Sequence, residues 1–513
     1  MRFFRFLSAS LLAGCAVLPA MVPAHAAADK GGNASAAQAR AMLPEFVTFL
    51  KLPNVMFQSS ADMRRNADWA EAAFRRHGFT ASQLPDHETP MVFAQWGKVD
   101  PKKKTVLFYA HMDGQAVFPK QWDTPPWEPT LRRKLPDGRY ETLPLEQLTQ
   151  GAMPDPDWRL FARSSADDKA PIIMLMAAMD ALRAGGKSPA INVKIIIDSH
   201  EEGGPPTLDE VVKNNAALLK ADAVVMLDGP MHASNRPTLV FGHRGGTGFA
   251  LTVFGAGEEL HSGHYGNYAP NPVFALADLL SAMKDADGRV TIPGFYDGVS
   301  FDPRTKAVLA AVPDDEAGLR HRLGIAANEK VGENYQEAMN YPTLNVSAMK
   351  AGEPDSHRSV IPASATAWFD LRTVPATPGP RELALVRAWV ESKGYHLVQG
   401  TPTPEERARY PHLAAISGGG GMEALMTPLE APVGRWAASA LRKQSGQEPV
   451  RIPIMGGGVP TAPFSHTLGV PVLLIPLVNA DDNQHAANEN LRMGNYFYGV
   501  DALYRLFLEP YAG

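Results

Sequence analysis

The sequence has one cysteine, Cys15, in 513 residues, so an intramolecular disulfide is excluded. It has no excess of basic residues, because 49 Lys and Arg stand against 54 Asp and Glu, a formal net charge of -5. This balance argues against nucleic acid as a partner. Beyond residue 26 no stretch approaches the ~20 apolar residues of a membrane span, so no transmembrane segment is predicted in the mature chain.

Several catalytic motifs are also absent. There is no G-x-S-x-G elbow, and the lone cysteine falls in the N-terminal segment, so serine and cysteine hydrolases lack a nucleophile here. The segment "HEE" lacks the second histidine of H-E-x-x-H. No Walker motif or complete G-x-G-x-x-G is found.

The first 26 residues have the pattern of a secretory signal. "MRFFR" is followed by an apolar stretch and then by "PAHAAADK", which fits cleavage after Ala26. The mature protein is therefore predicted to be exported, periplasmic or secreted. The "LLAG" segment directly before Cys15 also resembles a lipoprotein signal, so a lipid anchor on that cysteine is the alternative.

The rest of the chain alternates helical and strand patterns, as in "KKTVLFYAH", "APIIMLMAAMDALRAGG" and "NVKIIIDSH". This alternation predicts an α/β fold with a doubly wound sheet. From residue 244 the strands alternate as half-exposed strands do, which predicts an inserted α+β domain. We therefore predict a catalytic domain over 27–243 and 376–513, with the insertion at 244–375. "SGGGGM" at 417–422 is predicted to be a mobile loop.

Acidic and histidine side chains stand where predicted strands and their neighbouring loops end, the edge at which open α/β sheets bind ligands. Each alone has a simpler explanation, such as a helix N-cap or a solvated turn. Gathered at one sheet edge, they would repel each other or stay unsatisfied without a cation. The candidates are His111, Asp113, Asp167, Asp168, Glu201, Glu202, Asp228 and His485.

The order of these motifs resembles one enzyme family. The series "AHMDG", "ADDKAP", "HEEGG", "LDGP", "LHSGHYG" and "NADDNQHAANE" is similar to that of the co-catalytic zinc peptidases, which include carnosine dipeptidases, aminoacylases and succinyl-diaminopimelate desuccinylase. The dipeptidase branch is the most similar. The resemblance spans about residues 40 to 510.

The resemblance implies two Zn²⁺ ions, with Mn²⁺ or Co²⁺ also accommodated by imidazole and carboxylate ligands. The implied ligands are His111 and Asp228 for one ion, His485 and Glu202 for the other, and Asp167 bridging both. The peptide between Asp167 and Asp168 is expected to be cis. Asp113 would orient His111, and Glu201 would be the general base that takes a proton from the attacking water.

The insertion would then be a lid and dimerisation domain. The resemblance implies that His261 reaches the partner subunit's site to stabilise the oxyanion, and that Arg372 holds the substrate carboxylate. Gly457 and Gly458 in "MGGGVP" would let backbone amides approach the substrate. Dipeptidases usually carry Ser or Thr at the position of Gly458, and Ser359 replaces the usual Thr, so the substrate pocket departs from the family pattern.

We therefore predict an exported, homodimeric metallopeptidase. It would hydrolyse an amide bond next to a free carboxylate in a dipeptide or short peptide. An N-acyl or N-carbamoyl amino acid is the alternative substrate. Outside enzymes, a non-catalytic, metal-stabilised peptide-binding protein and a metal-free structural envelope protein are the competing hypotheses, and the presence of Glu201 argues against the binder because binding needs no base.

Overall fold

The computed structural model describes residues 30–85, 89–203, 207–353 and 358–512, with only the backbone described at 30–33. The predicted signal segment and Cys15 lie outside these ranges, so export stays a prediction. Within the described ranges, no helix combines the length and the apolar character that a membrane crossing requires.

The strands and helices are numbered in chain order. The strands are β1 (Thr80–Leu84), β2 (Met91–Gln95), β3 (Thr105–His111), β4 (Thr130–Lys134), β5 (Tyr140–Thr142), β6 (Arg159–Phe161), β7 (Asn192–Asp198), β8 (Ala223–Met226), β9 (Thr238–Val240), β10 (Gly242–His243), β11 (Gly245–Phe254), β12 (Leu260–His261), β13 (Thr343–Lys350), β14 (Val360–Ile361), β15 (Ser364–Thr373), β16 (His396–Leu397), β17 (Leu413–Met422), β18 (Leu425–Met426), β19 (Val450–Ile452), β20 (Val472–Leu474) and β21 (Asn490–Arg492). The helices are α1 (Lys30–Leu50), α2 (Ser60–Arg76), α3 (Lys169–Ala184), α4 (Thr207–Asn214), α5 (Ala216–Leu219), α6 (Ser262–Tyr265), α7 (Pro272–Met283), α8 (Pro303–Ala310), α9 (Glu316–Leu323), α10 (Tyr335–Met339), α11 (Gly379–Ser392), α12 (Pro404–Arg409), α13 (Pro432–Ser445) and α14 (Met493–Leu508).

The larger sheet has eight strands in the order β1-β2-β7-β3-β8-β20-β9-β19. Its centre, from β7 to β20, is parallel. All seven residues of β3 and of β7 are buried, as expected for parallel strands covered on both faces. A further sheet has four strands in the order β21-β6-β4-β5. The predicted α/β fold class is confirmed.

Alternate residues of β3 enter two different cores, because side chains along a strand point to opposite faces. Phe108 and Ala110 join the core formed with helices α1, α2, α3, α13 and α14. Leu107 and Tyr109 join a second core that includes residues of α4. Helices thus cover both faces of the sheet. Side chains that bind a ligand are therefore expected at the ends of the strands.

The smaller sheet has the order β13-β15-β11-β17-β16, and its core includes residues of α7 and α11. The predicted boundary at residue 375 therefore lies inside this second unit. Leu383 and Trp389 of α11 pack on the smaller sheet, not on the larger one. The amphipathic pattern of α11 predicts a helix but does not identify the sheet that the helix covers.

The segment 417–422, predicted to be a mobile loop, is the end of strand β17. It pairs with β11, with a register irregularity between Thr247 and Phe249. Gly418 and Gly419 have φ of 91° and 118°, a backbone region that favours glycine. The glycines therefore let the strand bulge and stay paired, so the loop prediction is wrong.

His77 joins three helices of the main core. Its Nδ1 lies 2.5 Å from Oδ2 of Asp180 in α3, and its Nε2 lies 2.9 Å from Oε2 of Glu45 in α1. Burial lowers the pKa of His77, but the hydrogen bonds to the two carboxylates outweigh it and raise the pKa to about 9. The imidazolium therefore stabilises the folded chain at neutral pH.

We expect this stabilisation to depend on pH. Because the folded pKa of His77 is raised, its contribution is fully present below about pH 6.5 and is lost as the pH rises through about 9. His77→Gln should lower the free energy of unfolding by about 1 to 2 kcal/mol at pH 6 and by much less at pH 10. Urea unfolding at both pH values measures this. An equal loss of unfolding free energy at pH 6 and at pH 10 would contradict the prediction.

Candidate active site

His111 and Asp113 stand at the carboxyl end of β3, in the middle of the parallel sheet. Both are buried. Nε2 of His111 lies 2.8 Å from Oδ1 of Asp167, and its Nδ1 lies 3.1 Å from the carbonyl oxygen of Asp113 and 3.3 Å from the Oδ1 atom. Asp113 thus orients the ring so that Nε2 faces Asp167, the arrangement that metal-binding histidines commonly have.

Asp113 also links the ends of β3 and β7. Its Oδ1 accepts the backbone N–H of Glu201 at 3.1 Å, and its Oδ2 accepts that of Glu202 at 3.0 Å. The two glutamates begin a short 3-10 turn, Glu201–Gly203, directly after β7. One buried carboxylate therefore fixes the backbone from which both glutamate side chains start.

Asp167 contacts both predicted histidine ligands, His111 and His485. Its Oδ1 faces His111, and its Oδ2 lies 3.2 Å from Nε2 of His485, which in turn lies 3.3 Å from Oε2 of Glu202. The peptide bond between Asp167 and Asp168 is cis, as the resemblance implies. Oδ2 of Asp168 accepts the backbone N–H of His111 at 3.1 Å, which ties this loop to β3.

The predicted ligands form two groups that share Asp167. Within each group the donor atoms lie within 4.8 Å of one another. The groups are His111, Asp167 and Asp228, and Asp167, Glu202 and His485. The structure thus brings together all five residues in the two sets that the resemblance implies, although the role of each residue stays a prediction.

The electrostatics of the cluster fit a bound cation. Burial, with repulsion from Asp167, raises the pKa of Glu202 to about 7 and that of Asp228 to about 6. Burial would also raise the pKa of Asp167, but its hydrogen bonds to His111 and His485 outweigh it and lower that pKa. These carboxylates are costly to ionise together, and a divalent ion among them would offset that cost.

Glu201 belongs to neither ligand group. It lines the same cavity as Asp167, Asp228 and His485. Burial, followed by repulsion from nearby carboxylates including Asp228 and Asp113, raises its pKa well above the usual range. A carboxylate that is close to the ligands and outside their set is the arrangement that proton transfer requires.

The remaining predicted site residues are divided between two places. Gly457 and Gly458 line the cavity beside Glu201. Within the described chain, His261, Arg372 and Ser359 do not line it; they belong to the smaller domain. Arg372 is half-exposed with Nε 3.0 Å from Asp370, and the carbonyl of Ser359 accepts the N–H of Ser262 at 2.9 Å.

His261 is exposed at the start of α6. Its Nδ1 accepts the backbone N–H of Gly263 at 3.0 Å. A neutral imidazole that accepts at Nδ1 carries its proton on Nε2. The ring therefore presents a hydrogen-bond donor, although not to the cavity of its own chain.

The contacts that Gln115 and Glu489 make at the site were not predicted from the sequence. Nε2 of Gln115 lies 2.5 Å from Oε2 of Glu202. The buried carboxylate of Glu489 accepts the backbone N–H groups of Ser164, Ala166 and Asp167 at 2.8, 2.9 and 2.9 Å. Glu489 is inside the motif "NADDNQHAANE", but nothing in the local sequence distinguishes it from a solvated glutamate.

The chain is similar to known peptidases. A peptidase dimerisation domain matches residues 241–397. The Cys-Gly metallodipeptidase of Schizosaccharomyces pombe is 27% identical over 422 residues, which are 80% of each chain. The human Beta-Ala-His dipeptidase is 26% identical over 442 residues, 83% of this chain and 79% of that one.

Solved structures share the fold. A metallo-carboxypeptidase from Sulfolobus solfataricus superposes with a TM-score of 0.70 at 24% identity, covering 91% of this chain and 98% of that one. Human carnosine dipeptidase 1 gives a TM-score of 0.68 at 22% identity, covering 93% and 98%. This chain is a homologue of metallodipeptidases and carries a peptidase dimerisation domain, which makes it a metallopeptidase and confirms the predicted resemblance.

Proposed function

We propose that this protein is a di-metal hydrolase that cleaves the amide bond of dipeptides or short peptides next to a free carboxylate. The observation that carries the proposal is the arrangement of two ligand groups around Asp167, with Glu201 beside them and outside both. The names of the relatives, a Cys-Gly and a Beta-Ala-His dipeptidase, support dipeptides as the substrate class.

Zinc is the proposed metal, with one ion in each ligand group. Two imidazoles and three carboxylates are donors that suit Zn²⁺, and also Mn²⁺ or Co²⁺. When bound, such ions polarise the substrate carbonyl and acidify water. Elemental analysis of the purified protein, followed by reconstitution with each metal, tests which metal the protein binds and how many ions each chain holds. We expect two ions per chain.

The other steps of the proposed reaction are carried out by residues of the chain. Asp113 holds His111 and the backbone of both glutamates in place. Glu201 takes a proton from the attacking water and delivers it to the departing amine. Gly457 and Gly458 line the cavity, and their backbone amides would bind one end of the substrate.

We also propose that the protein acts as a homodimer. Strand β13 is an edge of the smaller sheet, and the apolar side chains Val346, Met349 and Trp368 on this sheet are 43%, 54% and 40% exposed. An edge strand with exposed apolar groups is a site for pairing with another chain. Light scattering of the purified protein should give twice the monomer mass.

In the dimer, His261 would donate from Nε2 to the oxyanion in the partner's site, and Arg372 would bind the substrate carboxylate. His261→Ala is then expected to lower kcat by about 10²- to 10³-fold, the usual effect of losing one oxyanion donor. Metal content should stay unchanged, because this histidine is outside both ligand groups. Steady-state kinetics measures kcat, and elemental analysis measures the metal content.

A mixing experiment separates action across the dimer from action within one chain. His261→Ala subunits mixed with Glu201→Gln subunits form some heterodimers with one complete site. Activity should rise to about a quarter of the wild-type value if two-fold symmetric subunits exchange freely. No recovery, in a mixture that mass spectrometry shows to contain heterodimers, would contradict the role of His261 across the dimer.

The substrate class is tested with a panel of dipeptides, N-acyl amino acids and N-carbamoyl amino acids, each assayed with zinc and with manganese. Hydrolysis confined to the N-acyl or N-carbamoyl compounds would overturn the peptidase assignment. Export remains part of the proposal and is tested on the native protein. Mass spectrometry of the mature N-terminus distinguishes cleavage after Ala26 from a lipid-modified Cys15.

A further inference from the structure

The carboxylate cluster opens into a cavity of about 660 Å³ that extends to helices α9 and α10. One end is lined by Asp167, Glu201 and Asp228, and the other by residues that include Leu319 and Met339. Ligand cavities of about 300 to 1,000 Å³ enclose drug-sized molecules. The space is therefore larger than a dipeptide of two small residues requires.

The wall away from the cluster is mainly apolar. Three methionines contribute to it, Met231, Met339 and Met455, together with Ile454 and Val459. Met231 is 3% exposed, and Ile454 and Val459 are each 4% exposed, so this wall is continuous with the protein interior. Methionine side chains are flexible and adapt to apolar groups of different shapes.

The glycines of the cavity keep this wall apolar. A Cβ atom at Gly456 would lie 2.7 Å from Cε of Met339, and one at Gly458 would overlap Sδ of Met422. The thioether of Met339, which lines the cavity, and that of Met422, which does not, therefore occupy the space that a side chain on this segment would fill. A Cβ at Gly457 would meet only Cε of Met455, at 3.9 Å.

Both acidic residues of the far wall, Asp314 and Asp315, accept hydrogen bonds from neighbouring residues. Oδ2 of Asp314 accepts from Nε2 of Gln336 at 2.8 Å, and Oδ1 lies 3.1 Å from Nε2 of His232. Asp315 caps α9 by accepting the N–H of Gly318 at 2.8 Å. Both oxygens of Asp314 are therefore engaged within the fold, and Asp315 is engaged through Oδ1, which weakens the attraction of this wall for a basic side chain. The exposed Arg322 also lines the cavity, which makes an acidic side chain the competing occupant.

We infer that this cavity selects substrates with a bulky apolar group next to the scissile amide. The group is supplied by a side chain such as leucine or phenylalanine, or by an acyl chain of similar character. This inference rests on the proposed function, because the cavity is taken as the place where the hydrolysed amide binds. Burial of the group against the methionines would favour binding, because it removes apolar surface from water.

Comparison of kcat/KM among four substrates tests the inference on the metal-loaded dimer. The substrates are Leu-Leu, Gly-Gly, Glu-Glu and N-lauroyl-glycine. Leu-Leu should exceed Gly-Gly by about 10- to 200-fold per substituted position, the range for filling an apolar pocket. A higher kcat/KM for N-lauroyl-glycine than for Leu-Leu would show that an acyl chain supplies the apolar group. Equal kcat/KM values for Gly-Gly and Leu-Leu, or a higher kcat/KM for Glu-Glu than for Leu-Leu, would overturn the inference.

A variant in the wall gives a second measurement. Met339→Lys places a charge in the cavity and should lower kcat/KM for Leu-Leu by about 10-fold or more, so that the ratio of kcat/KM for Leu-Leu to that for Gly-Gly falls. Met339→Leu should retain the preference. Met153→Lys, at a position 47% exposed outside the cavity lining, is the matched control and should change neither value. A parallel loss on both dipeptides in Met339→Lys would contradict a role in selection.

Failure of the proposed function would be recognised separately. If no amide is hydrolysed with any metal, the hydrolase assignment fails. Calorimetry with the Glu201→Gln variant then still measures whether Leu-Leu binds more tightly than Gly-Gly. Tighter binding of Leu-Leu would support the apolar cavity without turnover, and equal binding would overturn it.

Discussion

Replacing Glu201 with glutamine is expected to lower kcat by about 10²- to 10⁴-fold, the range for loss of a general acid–base group. Glutamine has nearly the same shape but does not accept a proton at neutral pH. The backbone N–H of residue 201 would still bond to Asp113, so the turn after β7 should keep its position. Because Glu201 is in neither ligand group, metal content should remain that of the unmodified protein.

The control is Glu202→Gln at the neighbouring position. Glu202 belongs to a ligand group with Asp167 and His485, so this change should reduce metal affinity as well as turnover. Calorimetric titration of metal into the metal-free proteins, with kcat on the best dipeptide, distinguishes the two variants. Full activity in Glu201→Gln would remove the proposed base, whereas the absence of hydrolysis by the unmodified, metal-loaded protein would favour the non-catalytic peptide binder.

The strands that carry the site are predictable because their signal is local. The apolar runs that end at His111 and Asp198 form β3 and β7, and the residues just after them reach the sheet edge where the cluster forms. A parallel sheet brings such ends together whatever their separation in sequence. This is why motifs tens to hundreds of residues apart predict one cluster at the sheet edge, whereas the place of Asp167 in both ligand groups was implied only by the family resemblance.

Other features depend on packing that no local pattern encodes. The amphipathic pattern of α11 fits either sheet, and only the packing shows that the helix covers the smaller one. The glycines at 417–422 have the composition of a loop, yet the backbone of β11 opposite them supplies hydrogen-bond partners. Glu489 is the clearest case, because its partners are more than 300 residues away in sequence.

Glu489 and Arg163 form a buried pair that holds two ligand loops together. Their side chains are 0% and 3% exposed, and Nη1 of Arg163 donates to Oε2 of Glu489 at 2.8 Å. Nη2 of Arg163 donates to the carbonyl of Ala486 at 3.2 Å, directly after His485. The carboxylate therefore fixes the backbone of Asp167, while the guanidinium holds the loop that carries His485.

Glu489→Gln is expected to disrupt this arrangement, because each carboxylate oxygen serves two donors. Oε1 accepts from Ala166 and Asp167, and Oε2 accepts from Ser164 and Arg163. An amide NH₂ group in either orientation would face two donors and leave them unsatisfied. Stability should fall by about 3 to 5 kcal/mol, the cost of breaking a buried charge pair. Metal affinity should fall by about 10- to 100-fold, as for other residues that support ligands.

Metal affinity distinguishes positioning from a general loss of stability. Calorimetric titration should be done well below the melting temperature of the variant, where the chain is folded. Glu489→Asp, which keeps the charge, should recover part of the affinity. Glu509→Gln is the matched control, because Glu509 also binds a cation, Lys443, but at the end of α14. Unchanged metal affinity in folded Glu489→Gln would mean that the carboxylate stabilises the loop without positioning Asp167.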